Sequence, residues 1–195
     1  RFALELNRPW YVLMESAGIE DEDMLDAALM DAIESGLVYD AVIAKNRTEA
    51  DEMWRLRHAI SEAQKREGAS LKHDVSVPVG AVARFIESAT AAVTTAHPGV
   101  RVVAFGHVGD GNVHFNLSQP VDTTGTDFLA CSDSLGRIVY DEVARFGGSF
   151  SAEHGVGQAK RDELRRYRSE TEVTLMRTLK AALDPDGLLN PGKVI

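Results

Sequence analysis

Two histidines flank a glycine-rich turn in Gly106-His107-Val108-Gly109-Asp110-Gly111-Asn112-Val113-His114-Phe115-Asn116. If Gly109 to Asn112 form a four-residue turn, Val108 pairs with Val113, and His107 stands opposite His114 on one face of a hairpin. Directly opposed Cβ atoms lie about 5 Å apart, which lets two imidazoles converge on one ion. Asn116, further along the same strand, shares that face. The competing reading makes both histidines polar residues on the solvated side of a sheet. Two histidines rarely complete a metal site, so a further ligand has to come from elsewhere.

That ligand is expected in Ser151-Ala152-Glu153-His154-Gly155-Val156-Gly157, which is too glycine-rich for helix interior and too polar for core. Glu153 would supply the carboxylate of a 2-His-1-carboxylate set, and His154 would sit beside an open coordination position as a base. Open positions mean catalysis or substrate binding rather than a structural metal. The alternative is a solvated loop capping a helix that starts near Gln158. Gly155-Val156-Gly157 has a superficial likeness to a dinucleotide loop, but Lys occupies position 160 and no βαβ context precedes it.

Trp54, Arg57 and Ser61 recur at spacings of three and four, so they share one helical stripe, and Lys72 follows soon after. An Arg fork, a hydroxyl and an ammonium within reach of one another bind a carboxylate, although such residues are commonly just solvated. Asp184 to Lys193 is dense in turn residues and reads as an ordered tail exposing Asn190 and Lys193. It lacks the glycine spacing of a phosphate loop.

These residues need elements to hold them. Trp10 to Met14 and Asp40 to Ala44 read as strands around a helix from Glu20 to Ser35 that Gly36 stops. Thr48 opens a helix to about Arg66, a strand covers Asp74 to Val77, and Val82, Phe85, Ile86, Ala89 and Val93 mark the next helix. Val100 to Gly106 and Val113 to Leu117 are the hairpin strands. Leu135, Ile138, Val139, Val143 and Phe146 form one helix face, and Ser169 with Glu172 makes a capping box for a last helix ending near Leu183. The order implies an α+β fold with an antiparallel sheet, helices on one face and a helical C-terminal extension, not a doubly wound nucleotide fold. Residues 1–195 are read as one domain, and the opening Arg1-Phe2-Ala3-Leu4 as a cut from a longer protein.

With a net charge of −9, nucleic acid and anionic membranes are excluded as general partners, and positive charge for an acidic substrate must be concentrated locally. No apolar run approaches the roughly 20 residues of a membrane span, and no signal segment opens the chain. The single Cys131 forms no internal disulfide, which points to a reducing compartment, the cytoplasm.

Taken in order, His107 to His114, Glu153 to Gly157 with Lys160, and Asp184-Pro185 through Asn190-Pro191-Gly192-Lys193 resemble the C-terminal domain of FAD-linked oxidases of the vanillyl-alcohol oxidase type. That group holds D-2-hydroxyglutarate dehydrogenases, D-lactate dehydrogenases and the glycolate oxidase flavin subunit, and the resemblance covers essentially the whole chain. It implies a ferredoxin-like domain covering the flavin of FAD, which an N-terminal domain outside this chain would bind, with His107, His114 and Glu153 holding a divalent metal, usually zinc. The metal would engage the substrate's hydroxyl and C1 carboxylate and lower the hydroxyl pKa. His154 would take the proton as hydride passes to flavin N5, Asn116 would orient the carboxylate, and Asn190 and Lys193 would approach the flavin edge.

Lys72, before Asp74 in Lys72-His73-Asp74-Val75-Ser76-Val77-Pro78, resembles the hydroxyglutarate-type members, and with Arg57 and Ser61 would suit a second carboxylate. Ser61 stands where relatives often carry Thr. Electrons would leave to a quinone or an electron-transfer protein, which would bring the protein to the membrane periphery, and a homodimer is left open. A D-lactate or glycolate enzyme of the same family is the neighbouring expectation. From other classes come a metallohydrolase using the same three ligands and a metal-free binding module.

Overall fold

The computed structural model describes residues 8–16 and 23–195. Arg1 to Leu4 and the predicted first turn of the Glu20 helix lie outside the described residues. The chain divides into two compact units, residues 1–63 and 64–195.

The first unit contains α1 (Asp23–Glu34) and most of α2 (Arg47–Lys65). Gly36, at φ 75°, ends α1 by letting the Leu37 and Val38 N–H groups turn back to the Ala32 carbonyl. Asn46 starts α2, its Oδ1 accepting the Glu49 N–H at 3.0 Å. The two strands expected here do not form: Trp10–Met14 and Asp40–Ala44 are irregular. Trp10, Tyr11, Val12 and Met14 are exposed, and among the described residues every strand belongs to the second unit. An apolar run without a neighbouring strand for its backbone groups does not become one.

The second unit is built on β4 (Asn112–Ser118). Along one edge β4 pairs antiparallel with β3 (Arg101–His107), and along the other with β1 (Ser70–Leu71) and β2 (Asp74–Ser76). The break between those two short strands is bridged by His73, whose carbonyl accepts the Phe115 N–H at 2.8 Å. Val113, Phe115 and Leu117 of β4 point into the core, where α3 (Val82–Ala96) supplies Phe85, Ala89 and Val93 and α5 (Ser132–Arg145) supplies Leu135, Val139 and Val143. Each of the Val, Leu and Phe side chains taken fully from water contributes about 1.5–3 kcal/mol, and Ala89 less.

α4 (Gly125–Leu129) is capped by Thr124, and α6 (Arg161–Tyr167) and α7 (Glu170–Leu183) follow. The capping box forms as expected, with Ser169 Oγ accepting the Glu172 N–H and Glu172 Oε2 accepting the Ser169 N–H. The result is the expected α+β arrangement of an antiparallel sheet with a helical C-terminal extension. Asn112, His114 and Asn116 lie on the opposite face of β4 from its core residues.

Candidate functional site

The hairpin turn corrects the expected register. His107 pairs with Asn112 and Phe105 with His114, so the two histidines are not directly opposed. The turn occupies residues 108–111: the Gly111 N–H reaches the Val108 carbonyl at 3.2 Å and Asp110 Oδ1 accepts the Asn112 N–H at 3.0 Å. Gly111 sits at φ 78°, its carbonyl accepts the Val77 N–H, and an added Cβ would stand 2.0 Å from the Val77 oxygen. A left-handed glycine locked against the neighbouring strand therefore ends the turn one residue earlier than expected. Pairing moves by an even step, so His107 and His114 still share a face, diagonally, with ring centroids 6.5 Å apart.

Glu153 completes the group. Its Oε1 lies 3.2 Å from His107 Nδ1 and its Oε2 lies 3.8 Å from His114 Nε2. The three differ in exposure: the His107 and Glu153 side chains are about half exposed, whereas His114 is 17% exposed. The His154 ring stacks on His114 with centroids 6.0 Å apart and is itself mostly exposed. The face is thus anchored on its sheet side and open on the other.

Asp74, to which the sequence reading assigned no role, lies under all of this. It is the cross-strand partner of His114 on β4, and its carboxylate is buried. Oδ2 accepts the N–H groups of Glu153 at 2.7 Å and His154 at 2.8 Å, and Oδ1 accepts Asn112 Nδ2 at 3.0 Å. His114 Nδ1 stands 3.5 Å from Oδ1 and His154 Nδ1 3.6 Å from Oδ2. Burial pushes the Asp74 pKa up, but the two backbone N–H groups and the Asn112 amide outweigh it and hold the carboxyl below its usual value. A carboxylate in a short strand of buried residues was the available signal; its partners lie far along the chain.

Two imidazoles and a carboxylate are donor types that can hold a divalent ion. Two donors each about 2.1 Å from a tetrahedral ion stand roughly 3.4 Å apart; Glu153 reaches His107 with one oxygen at 3.2 Å and His114 with the other at 3.8 Å. Among the described residues, the group whose ligand atoms all lie within 4.8 Å of one another is Asp74, Glu153 and His154. The Asp74 oxygens already accept three N–H donors, from Asn112, Glu153 and His154.

Asn116 is buried: its Oδ1 accepts the His73 N–H at 3.3 Å and its Nδ2 donates to Gln64 Oε1 at 2.9 Å, while Gln64 Nε2 donates to Ser118 Oγ at 3.0 Å. Lys72 is exposed between β1 and β2. Arg57 and Ser61 lie on the part of α2 that belongs to the first unit, and Lys72 belongs to the second.

The tail is tied to the Glu153 loop. Val194 N–H reaches the Gly157 carbonyl at 2.7 Å, Lys193 Nζ reaches Gln158 Oε1 at 3.2 Å, and Asn190 is exposed at φ 47°. Buried Asp184 organises the approach by pairing with Lys180 and accepting the Leu188 and Leu189 N–H groups.

Comparison with known proteins adds independent findings. The family described as FAD linked oxidases, C-terminal domain, matches residues 2–194. A D-2-hydroxyglutarate dehydrogenase of Xanthomonas citri pv. viticola is 42% identical over 188 residues, covering 95% of this chain and 40% of that protein. A second, from Stutzerimonas stutzeri, is 36% identical, covering 97% of this chain and 41% of its own. A D-2-hydroxyglutarate–pyruvate transhydrogenase of Saccharomyces cerevisiae is 34% identical, covering 100% and 40%. The chain spans about two fifths of the length of these relatives.

Proposed function

From the premise that the chain belongs to the FAD linked oxidases, as their C-terminal domain, we propose that it is the substrate- and metal-binding part of an FAD-dependent D-2-hydroxy acid dehydrogenase. The substrate is D-2-hydroxyglutarate or a similar dicarboxylate, and the product the 2-oxo acid, in keeping with the names of the relatives. The observation that carries this reading is the Glu153 carboxylate set between His107 and His114 on an open face.

His107, His114 and Glu153 would hold a divalent metal, with zinc favoured by the two imidazoles and one carboxylate. Bound there, the metal supplies Lewis acidity that lowers the pKa of the substrate hydroxyl. FAD, carried mainly by a domain outside this chain, supplies the hydride acceptor. A ring laid over the open side would meet His107, Glu153 and His154, all about half exposed or more. His154 takes the hydroxyl proton as general base, its ring presented to that side by the Asp74-bound loop.

Asn116 orients the C1 carboxylate through the Nδ2 hydrogen it does not give to Gln64. Arg57, Ser61 and Lys72 receive the distal carboxylate, and Asn190 and Lys193 approach the flavin edge. A quinone or electron-transfer protein re-oxidises the flavin, in the cytoplasm or at the membrane periphery. No helix among the described residues is long and apolar enough to cross a membrane.

The test is metal content and D-2-hydroxyglutarate oxidation, with an artificial electron acceptor, in the full-length protein and its Glu153→Ala variant. Loss of both metal and turnover supports the reading. Full activity without metal overturns it.

A further inference from the structure

We propose that Asp74 is a positioning residue that sets the orientation and tautomer of two imidazoles at once, the ligand His114 and the base His154. The inference rests on the metal-and-base reading above but concerns a residue outside the proposed His107, His114 and Glu153 set. Three independent contacts converge on this one carboxylate. Asp74 is the direct β-ladder partner of His114, with Oδ1 3.5 Å from His114 Nδ1. Its Oδ2 stands 3.6 Å from His154 Nδ1. That same oxygen takes the backbone N–H groups of Glu153 and His154 at 2.7 and 2.8 Å, so it also fixes the loop on which the carboxylate ligand and the base are mounted.

A buried carboxylate facing Nδ1 of a neutral imidazole favours the proton on that nitrogen. The Nε2 atom of each ring is then the one with a lone pair. For His114 that atom faces Glu153 Oε2, 3.8 Å away, where a ligand is needed. For His154, Nε2 is the ring nitrogen not turned to Asp74, in a side chain that is 67% exposed, where a base is needed. Asn112 Nδ2, at 3.0 Å, holds the carboxylate from its third side and keeps it from rotating away. One aspartate on a two-faced sheet thereby serves both the ligand and the base, because the ladder supplies one ring and the loop supplies the other.

The first measurement uses the native full-length flavoprotein. Histidine-selective 15N NMR, with zinc loaded and again after chelation, is expected to show protonated Nδ1 on both rings when neutral, with signals assigned from His114→Gln and His154→Gln. An Nε2-protonated tautomer on either ring in the zinc-free protein overturns the inference, whatever the activity.

The second measurement is Asp74→Asn, whose amide oxygen still accepts the two loop N–H groups while the charge facing the rings is gone. Zinc affinity and kcat are each expected to fall 10- to 100-fold, with KM changed far less than kcat. Wild-type kcat and zinc affinity in Asp74→Asn, alongside loss of zinc in Glu153→Ala, sink the positioning role alone. Retention of zinc-independent activity in Glu153→Ala sinks the metal reading, and the tautomers of the zinc-free protein still decide the rest.

Discussion

Val194 donates its backbone N–H to the carbonyl of Gly157 at 2.7 Å, fastening the end of the described chain to the loop that carries Glu153 and His154. Val194 does so at φ 65°, a left-handed conformation unfavourable for a β-branched residue, and the Ile195 N–H closes back on the Lys193 carbonyl across it at 2.8 Å. Such a conformation costs on the order of 1–3 kcal/mol and persists only where its surroundings enforce it.

Val194→Gly should therefore stabilise the protein by about 0.5–1 kcal/mol, since glycine adopts φ > 0 freely. Val194→Pro removes the donor and forbids the conformation, and should lower both stability and turnover. Melting temperatures of the two variants check this. A glycine variant that melts below wild type would contradict the strain argument.

The hairpin offers a paired test on neighbouring glycines. Gly111→Ala forces a Cβ to within 2.0 Å of the Val77 oxygen at φ 78°, and should cost at least 2–3 kcal/mol and displace His107 from Glu153. Gly109→Ala meets nothing within 4 Å and should change stability by less than about 0.5 kcal/mol. Denaturant unfolding of both variants reads the difference.

His73 should make stability depend on pH. Burial is the main cause that lowers its pKa from 6.5 to about 4, against the opposing hydrogen bond to the Phe115 carbonyl, with Lys160 adding to the lowering. The folded state holds the ring neutral while the unfolded chain protonates it below pH 6.5. Its contribution is thus complete above pH 6.5 and is lost as pH falls from 6.5 towards 4, by up to about 1.4 kcal/mol per pH unit and on the order of 3 kcal/mol in all. Urea unfolding between pH 7 and 4.5 should show this slope in the wild type and a shallower one in His73→Asn. Equal slopes would mean that the ring is not kept neutral.

Lys72→Ala tests the assignment of the second carboxylate. In the full-length protein, KM for D-2-hydroxyglutarate should rise tenfold or more while KM for D-lactate stays nearly unchanged. Parallel changes for the two substrates would remove Lys72 from the distal carboxylate.

What the sequence by itself determined is what depends on near neighbours. Helical spacing placed α2, α3 and α5 to within a few residues, and the Ser169–Glu172 cap was readable because its partners lie in one turn. The alternation of β4 placed His107 and His114 on one face even though the assumed turn was one residue late, because an even change of register preserves faces. Glu153 could be nominated by chemistry as the missing carboxylate.

Only the tertiary structure decided which atoms meet. The register rests on Gly111 lying against Val77 of another segment, the absence of strands at Trp10 and Asp40 on whether a pairing edge was at hand, and the burial of Asn116 on Gln64 of α2. Asp74 is the sharpest case. Its aspartate type was plain, but that its carboxylate lies between a ladder partner and a loop about 80 positions further on is a property of packing, which local periodicity does not encode.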